Sequence, residues 1–301
     1  MNILDVRTFV HQQGTEPILG AGVSRPVRDH KVTLRLHDGL LIQAGVFEID
    51  SAGTAEVHAC ISSQAGCKMY CTFCSSGKNG FVRNLSAQEI CEQVSLLEQF
   101  AHRDHGFDRL MYMGIGEPLD NLENVVSSMQ SLIASCGEYK GNILLATVGH
   151  PTRLERFATH KIPLRYLWVS LHAAFDEKRS EIMPFNKPGG VRRTIAAAVD
   201  FATQTGTSTW LNYMVLKGFN DQPEDAERLA HILRGTEAAV SIMLTKPNGE
   251  IDGKNGSSAD DVQAFRSLLI EAGLKNESVV FRSFGNETES GCGEFIFTPT
   301  P

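Results

Sequence analysis

From about residue 55 onward the chain alternates short apolar runs with amphipathic stretches, and that alternation limits the fold more than any other feature. AEVHACIS (55–62), RLMYM (109–113), ILLATV (143–148), LRYLWVSL (164–171), STWLNYMVL (208–216), VSIML (240–244) and SVVFRSF (278–284) read as strands. Helical segments at about 86–102, 121–136, 151–159, 191–204, 223–233 and 259–271 separate them. Ser86 and Glu89 form a capping box opening the first, and Gly137 and Gly206 stand where the second and fourth stop. Strands joined through helices pair in parallel, and six or seven such units make a barrel or partial barrel. In such folds the chemistry sits on loops at the C-terminal strand ends, where every unusual motif of this chain falls. Ahead of this region, KVTLRL (31–36) and LLIQAGVFEI (40–49) flank Asp38–Gly39, a hairpin signal. Residues 1–30 show weak periodicity. Two regions follow: an N-terminal extension with a β-hairpin over 1–50, and the barrel with a C-terminal loop over 51–301.

Apolar residues make up 42% of the 301 and charged residues 21%, the balance of a soluble globular protein. The start, MNILDVRTFVHQQG, has no secretory apolar core, and no run reaches the ~18 apolar residues of a membrane span. The expected compartment is the cytoplasm, with no membrane partner. Thiols stay reduced there, so the seven cysteines read as ligands, nucleophiles or core residues rather than disulfides. Four of them, Cys60, Cys67, Cys71 and Cys74, fall within fifteen residues. Three thiolates at C-x3-C-x2-C can hold one corner of a cubane iron–sulfur cluster and leave its fourth iron open to another ligand. The other readings of the same residues are a zinc site using all four cysteines, within a non-catalytic binding module, or inert buried thiols.

The spacing, with an aromatic before the last cysteine, resembles the signature of the radical S-adenosylmethionine (SAM) superfamily. CISSQAGCKMYCTFCSSGKNGFVRNLSAQEI (60–90), YMGIGEPLDNLENV (112–125), VSLHAAFDEKRSEIMPFNK (169–187) and SFGNETESGCGEF (283–295) resemble four ordered segments of the RlmN/Cfr group of radical SAM adenine methyltransferases. The resemblance runs from about residue 30 to the end. It implies an α/β fold, a partial (β/α)6 TIM-like radical SAM barrel with a short N-terminal β-hairpin extension. It implies a [4Fe–4S] cluster on Cys67, Cys71 and Cys74, with SAM as second cofactor and an external electron donor such as flavodoxin or ferredoxin.

The remaining site residues follow from the same comparison. Gly114, Gly116, Glu117 and Pro118 would bind SAM, with Glu117 near its amino group; alone they would be an ordinary glycine-rich turn. Thr147, Ser170 and His172 stand at later strand ends and would line the SAM pocket, although each residue type is also common there for structural reasons. Cys292, between two glycines, would take a methyl group from one SAM. A radical made from a second SAM would activate that methyl for addition to an sp² ring carbon, and a Cys60–Cys292 disulfide would release the product. Cys91 and Cys136 read as core residues.

Two departures from the family bear on the substrate. The 30 residues before Lys31 are too few for the family's RNA-holding domain. Gln43 occupies a hairpin position where the family often has glutamate, with Glu48 nearby as a substitute. Asn248 is the candidate for the SAM-contacting asparagine, in a poorly matching segment. The net charge of −7 offers no general attraction for phosphates. The expected substrate is therefore a small adenine-like heteroaromatic, a nucleotide or a compact RNA rather than large ribosomal RNA. The alternative is an adenine-carbon methyltransferase of ribosomal or transfer RNA.

Overall fold

The computed structural model describes residues 1–11, 24–51, 54–101, 106–187, 190–247, 256–281 and 293–299. Its centre is one ten-stranded sheet. Strands β1 (Asn2–Val10), β2 (Ser24–Arg35), β3 (Leu41–Ser51) and β4 (Thr54–Cys60) pair antiparallel in sequence order. The expected hairpin is β2–β3, closed by Leu36 N–H donating to Leu40 O (2.8 Å), with Gly39 at φ 91°. Two strands of the same sheet lay beyond sequence reading, β1 and the first half of β2. β1 is exposed at most positions, so no apolar alternation marks it.

Beyond β4 the pairing turns parallel. A short ribbon comes first, β5 (Gln64–Gly66) with β6 (Phe81–Asn84). The order is then α1 (Ala87–Leu97), β7 (Arg109–Tyr112), α2 (Leu122–Ser135), β8 (Ile143–Thr147), α3 (Pro151–Thr159), β9 (Leu164–Ser170), α4 (Asp176–Ile182), α5 (Gly190–Thr205), β10 (Ser208–Met214), α6 (Pro223–Leu233), β11 (Val240–Thr245), α7 (Ala259–Glu271) and β12 (Ser278–Phe281). The sheet order is β4-β7-β8-β9-β10-β11-β12, all parallel. The partial barrel expected from the alternation is present, and the sheet is not closed into a complete one. The capping box of Ser86 and Glu89 opens α1, and Pro151 starts α3 where a missing N–H is harmless.

The two faces of the parallel sheet are built differently. Residues pointing at the helices are sealed: Leu110, Ile143, Leu145, Leu167, Val169, Leu211 and Leu244 are all 0% exposed. Their neighbours point the other way, because side chains alternate along a strand. Met111, Ala146, Trp168, Ser170 and Asn212 on that inner face are only half-buried. Parallel sheets are ordinarily covered on both faces, so the inner face is reserved space.

Candidate active site

The loop after β5 carries the three clustered cysteines. Gly66 makes it possible: its φ is +82°, and a Cβ there would meet Gly80 O at 2.1 Å. Cys67 N–H then donates to Gly80 O (3.0 Å), Thr72 N–H to Ile182 O (3.0 Å) and Cys74 N–H to Cys71 O (3.0 Å). Tyr70 takes a positive φ of 52° at the tip, so the loop curls back on itself. Cys67 is buried and Cys71 and Cys74 half-buried.

Burial pushes the Cys67 thiol up to about 12 and Cys71 well above its ordinary value, with the neighbouring sulfurs adding repulsion. Thiolates form here only beside a cation, which a coordinated iron supplies. Among the described residues no three His, Cys, Asp or Glu side chains meet around one point as ligands of a single ion do. A cubane takes each thiolate on a different iron, so this donor set fits a [4Fe–4S] cluster better than zinc.

Glu117 ends the turn after β7. It is 2% exposed. Its Oε1 accepts from Thr147 Oγ (2.6 Å) and Leu119 N–H (3.1 Å), and its Oε2 from Val148 N–H (2.8 Å). A carboxylate has about four acceptor sites, so one on Oε2 remains for a ligand. Loss of solvent raises its pKa to about 7, despite the opposing hydrogen bonds. Gly114 and Gly116 border the cavity, but their first service is to the protein. A Cβ on Gly114 would meet Ser62 Oγ at 2.7 Å, and one on Gly116 (φ +107°) would meet Gln64 Cβ at 2.5 Å. They seat the turn against the chain that leads into the cysteine loop, and Gln64 Oε1 accepts from Glu117 N–H (2.9 Å). Pro118 does not reach the cavity wall. It is buried at the first position of a 3-10 turn, and that position accounts for it.

The later strand ends complete the wall. Thr147 is spent on Glu117. Ser170 borders the cavity at the end of β9. His172 also borders it, in the left-handed region at φ 58°. Its Nδ1 accepts from Met214 N–H (3.0 Å), its ring meets Phe73 edge-on at 4.9 Å, and burial drives its pKa down to about 3. It is a neutral wall residue rather than an acid or base.

Arg179 went unread in the sequence. It is 1% exposed and donates to Leu171 O (3.1 Å), Ser170 O (2.9 Å), Val148 O (2.9 Å) and Asn186 Oδ1 (2.6 Å). It ties the ends of β8 and β9 together behind the cavity. The only hint was an arginine in the first helical stretch after a strand, too common to single out.

The chain's C-terminal segment closes another side. Gly293 O accepts from Ser75 N–H (2.6 Å), Phe295 O from Ser76 Oγ (3.0 Å) and Phe297 O from Asn79 Nδ2 (2.7 Å). Cys292 and Asn248 lie outside the described residues. Gly293, the next residue after Cys292, borders the cavity. Cys60 is buried in the core at the end of β4, off the cavity wall, and pairs with Gly45 of β3. A Cβ on Gly45 would meet the Phe295 ring at 3.1 Å, and directly paired strand residues share a face. Cys60 and the C-terminal segment therefore occupy the same side of the sheet. Gln43 is on that side too, accepting from Ile296 N–H (2.7 Å). Glu48 is an odd number of residues away on the opposite face, beside Arg28 (3.8 Å), so it cannot stand in for Gln43.

These parts surround one cavity of about 400 Å³, with Cys67, Cys71, Cys74, Glu117, Ser170, His172 and Gly293 in its wall. Residues 61–230 match the Radical SAM superfamily. A Thermotoga maritima protein named "Probable dual-specificity RNA methyltransferase RlmN" is 32% identical over 282 residues, covering 92% of this chain and 78% of the relative. A protein of the same name from Microcystis aeruginosa is 32% identical over 270 residues, covering 89% and 77%. A crystallised radical SAM methyltransferase from Sphaerobacter thermophilus superposes with a TM-score of 0.79 at 26% identity, covering 93% of this chain and 81% of that one. Enzymes of this superfamily use a [4Fe–4S] cluster and SAM and need an electron donor. Motifs, fold and cavity thus agree with the relatives over nearly the whole length, and the chain belongs to the radical SAM superfamily, within its RlmN-type methyltransferases.

Proposed function

We propose that this enzyme methylates a ring carbon of adenine in RNA, carrying the methyl group on Cys292. The observation that carries the reading is the meeting of the cysteine loop, Glu117 and the C-terminal segment around one cavity. Cys67, Cys71 and Cys74 would hold the cluster, which would supply the electron for reductive cleavage of SAM. Glu117 offers its remaining acceptor site to the ammonium of SAM. Ser170 and His172 shape the pocket, and Arg179 holds their strands in place. Cys292 accepts the methyl group, and the Cys60 thiolate later bonds to the Cys292 sulfur as the bond from that sulfur to the transferred carbon breaks, the carbon leaving with the electron pair and taking up a proton to become the methyl of the product. The names of the relatives favour RNA as substrate. The net charge of −7 favours something smaller than a folded ribosomal domain. A small reduced electron-transfer protein, of the flavodoxin or ferredoxin kind, serves as donor.

One assay tests the reading. The reconstituted enzyme, SAM and reductant are incubated separately with ribosomal RNA fragments, transfer RNA and free adenosine, and digests are searched for methyladenine. Methyladenine from an RNA arm is expected, and Cys67→Ala, Cys71→Ala, Cys74→Ala and Cys292→Ala should each abolish it. Cys60→Ala should trap a covalent enzyme–RNA adduct. Full turnover by Cys292→Ala would sink the mechanism, and product from adenosine alone would move the substrate from RNA to the nucleoside.

A further inference from the structure

The inner face of the sheet holds an aromatic surface that the mechanism above leaves unused. The chain has two tryptophans. They are Trp168 on β9 and Trp210 on β10, direct partners across the two strands. Paired residues share a face, and Trp168 is in the cavity wall. Phe281 of β12 is in the same wall and meets the Trp168 ring edge-on, with centroids 5.5 Å apart. Both tryptophans are only half-buried, while Leu167, Val169 and Leu211 beside them are 0% exposed. The largest apolar side chains of these strands thus stand on the open face, where they add little to the core. A half-buried aromatic pair on an open sheet face offers a binding surface.

The register continues toward the N-terminal strand ends. Tyr166 lies two residues before Trp168 and so on the same face. Arg109 Cζ is 5.7 Å from the Tyr166 ring centre. Arg109 shares one amino group with Glu56 (3.3 Å), while its buried Nε has no hydrogen-bond partner among the described residues. An aromatic floor bordered by a guanidinium group complements a flat ring linked to a phosphate. Single-stranded nucleic acid is held in this way, bases on aromatic faces and backbone on cations.

We infer that Trp168 and Trp210 form a stacking platform for a nucleobase of the substrate, with its phosphate directed toward Arg109. The inference rests on the proposed RNA reading and adds to it the residues that receive the base. The purine of SAM is the rival occupant. Trp210 discriminates, because it is outside the cavity wall that includes the cysteines and Glu117.

The test uses the reconstituted holoenzyme. With Trp168→Phe, Trp210 is the sole tryptophan emitter, and a short adenosine-containing single-stranded RNA should quench it, whereas an abasic oligomer of equal length should not. Trp210→Leu should weaken binding of that RNA about tenfold or more, as loss of one stacked base does. It should leave SAM affinity unchanged, and Trp210→Phe should restore most of the RNA binding. An equal loss of SAM affinity in Trp210→Leu would give the platform to the cofactor and overturn the inference. Quenching by the abasic oligomer would overturn it too, and does not depend on the leucine variant folding. Methyladenine formed by a Trp210→Leu enzyme that binds RNA normally would remove the platform and leave the proposed function standing. Base-dependent quenching without any methyladenine from the wild type would do the reverse.

Discussion

At the scale of single residues, the site turns on two buried charges. The Glu117 carboxyl is held at about 7 against an ordinary 4.5 because burial disfavours its ionised form. The folded chain therefore keeps a proton that the unfolded chain has released over that interval. The stability contributed by this group is fully present below pH 4.5 and is lost as pH rises through about 7. A bound ammonium reverses the preference by favouring the carboxylate. SAM binding should release a fraction of a proton near neutral pH, and its affinity should rise with pH and level off above the Glu117 pKa. Calorimetry in buffers of different ionisation enthalpy reads the release, and Glu117→Gln should abolish it; an unchanged release in that variant would move the proton to another group. Arg179 is the second charge. Truncation to methionine strands Val148 O, Ser170 O, Leu171 O and Asn186 Oδ1 behind the cavity, and denaturant unfolding should show a loss of about 3 kcal/mol. Glu117 and the three cysteines were legible in the sequence because their chemistry needs a local motif. Arg179 was not, because three of its four partners are backbone oxygens brought in by two strand ends, and no residue pattern announces a carbonyl.

Among the elements, legibility followed burial. Helix α3 fills the expected span and α6 and α7 do too, each with a Pro or Ser start signal. The parallel strands were visible as apolar runs. β1 was not, because an edge strand exposed along most of its length has no alternation to read. The turn after β7 shows how one element can serve the cavity and the fold at once. Its glycines look like room for a ligand, yet they are filled by Ser62, Ile61 and Gln64. Gly116→Ala combines a forbidden φ with a Cβ 2.5 Å from Gln64 Cβ, so it should cost about 2–3 kcal/mol in thermal or denaturant unfolding. The same change should impair SAM binding, because Gln64 also fixes the backbone of Glu117.

Across the whole molecule, the C-terminal segment is tied to the cysteine loop. The C-terminal segment hangs on Ser75, Ser76 and Asn79, all within five residues after Cys74. Leu41 and Thr298 exchange backbone hydrogen bonds at 3.3 and 3.2 Å, so β3 shares the load. Removing the iron with a chelator should therefore loosen a region more than two hundred positions away in sequence. Hydrogen exchange is expected to quicken across 293–299 and stay slow in β8 and β9; equal exchange with and without iron would show that the segment is held by β3 alone.

The contrast between the two faces of the sheet also bears on how such an enzyme changes over generations. Every second strand residue is committed to the helices, and altering one puts folding at risk. Several of the residues between them, among them Met111, Trp168 and Trp210, are only half-buried and carry less of that burden. A lineage can therefore exchange Trp168, Trp210 or Met111 for other side chains and explore new substrates while the protein still folds, so heritable variation in specificity is concentrated on alternate positions of the same strands.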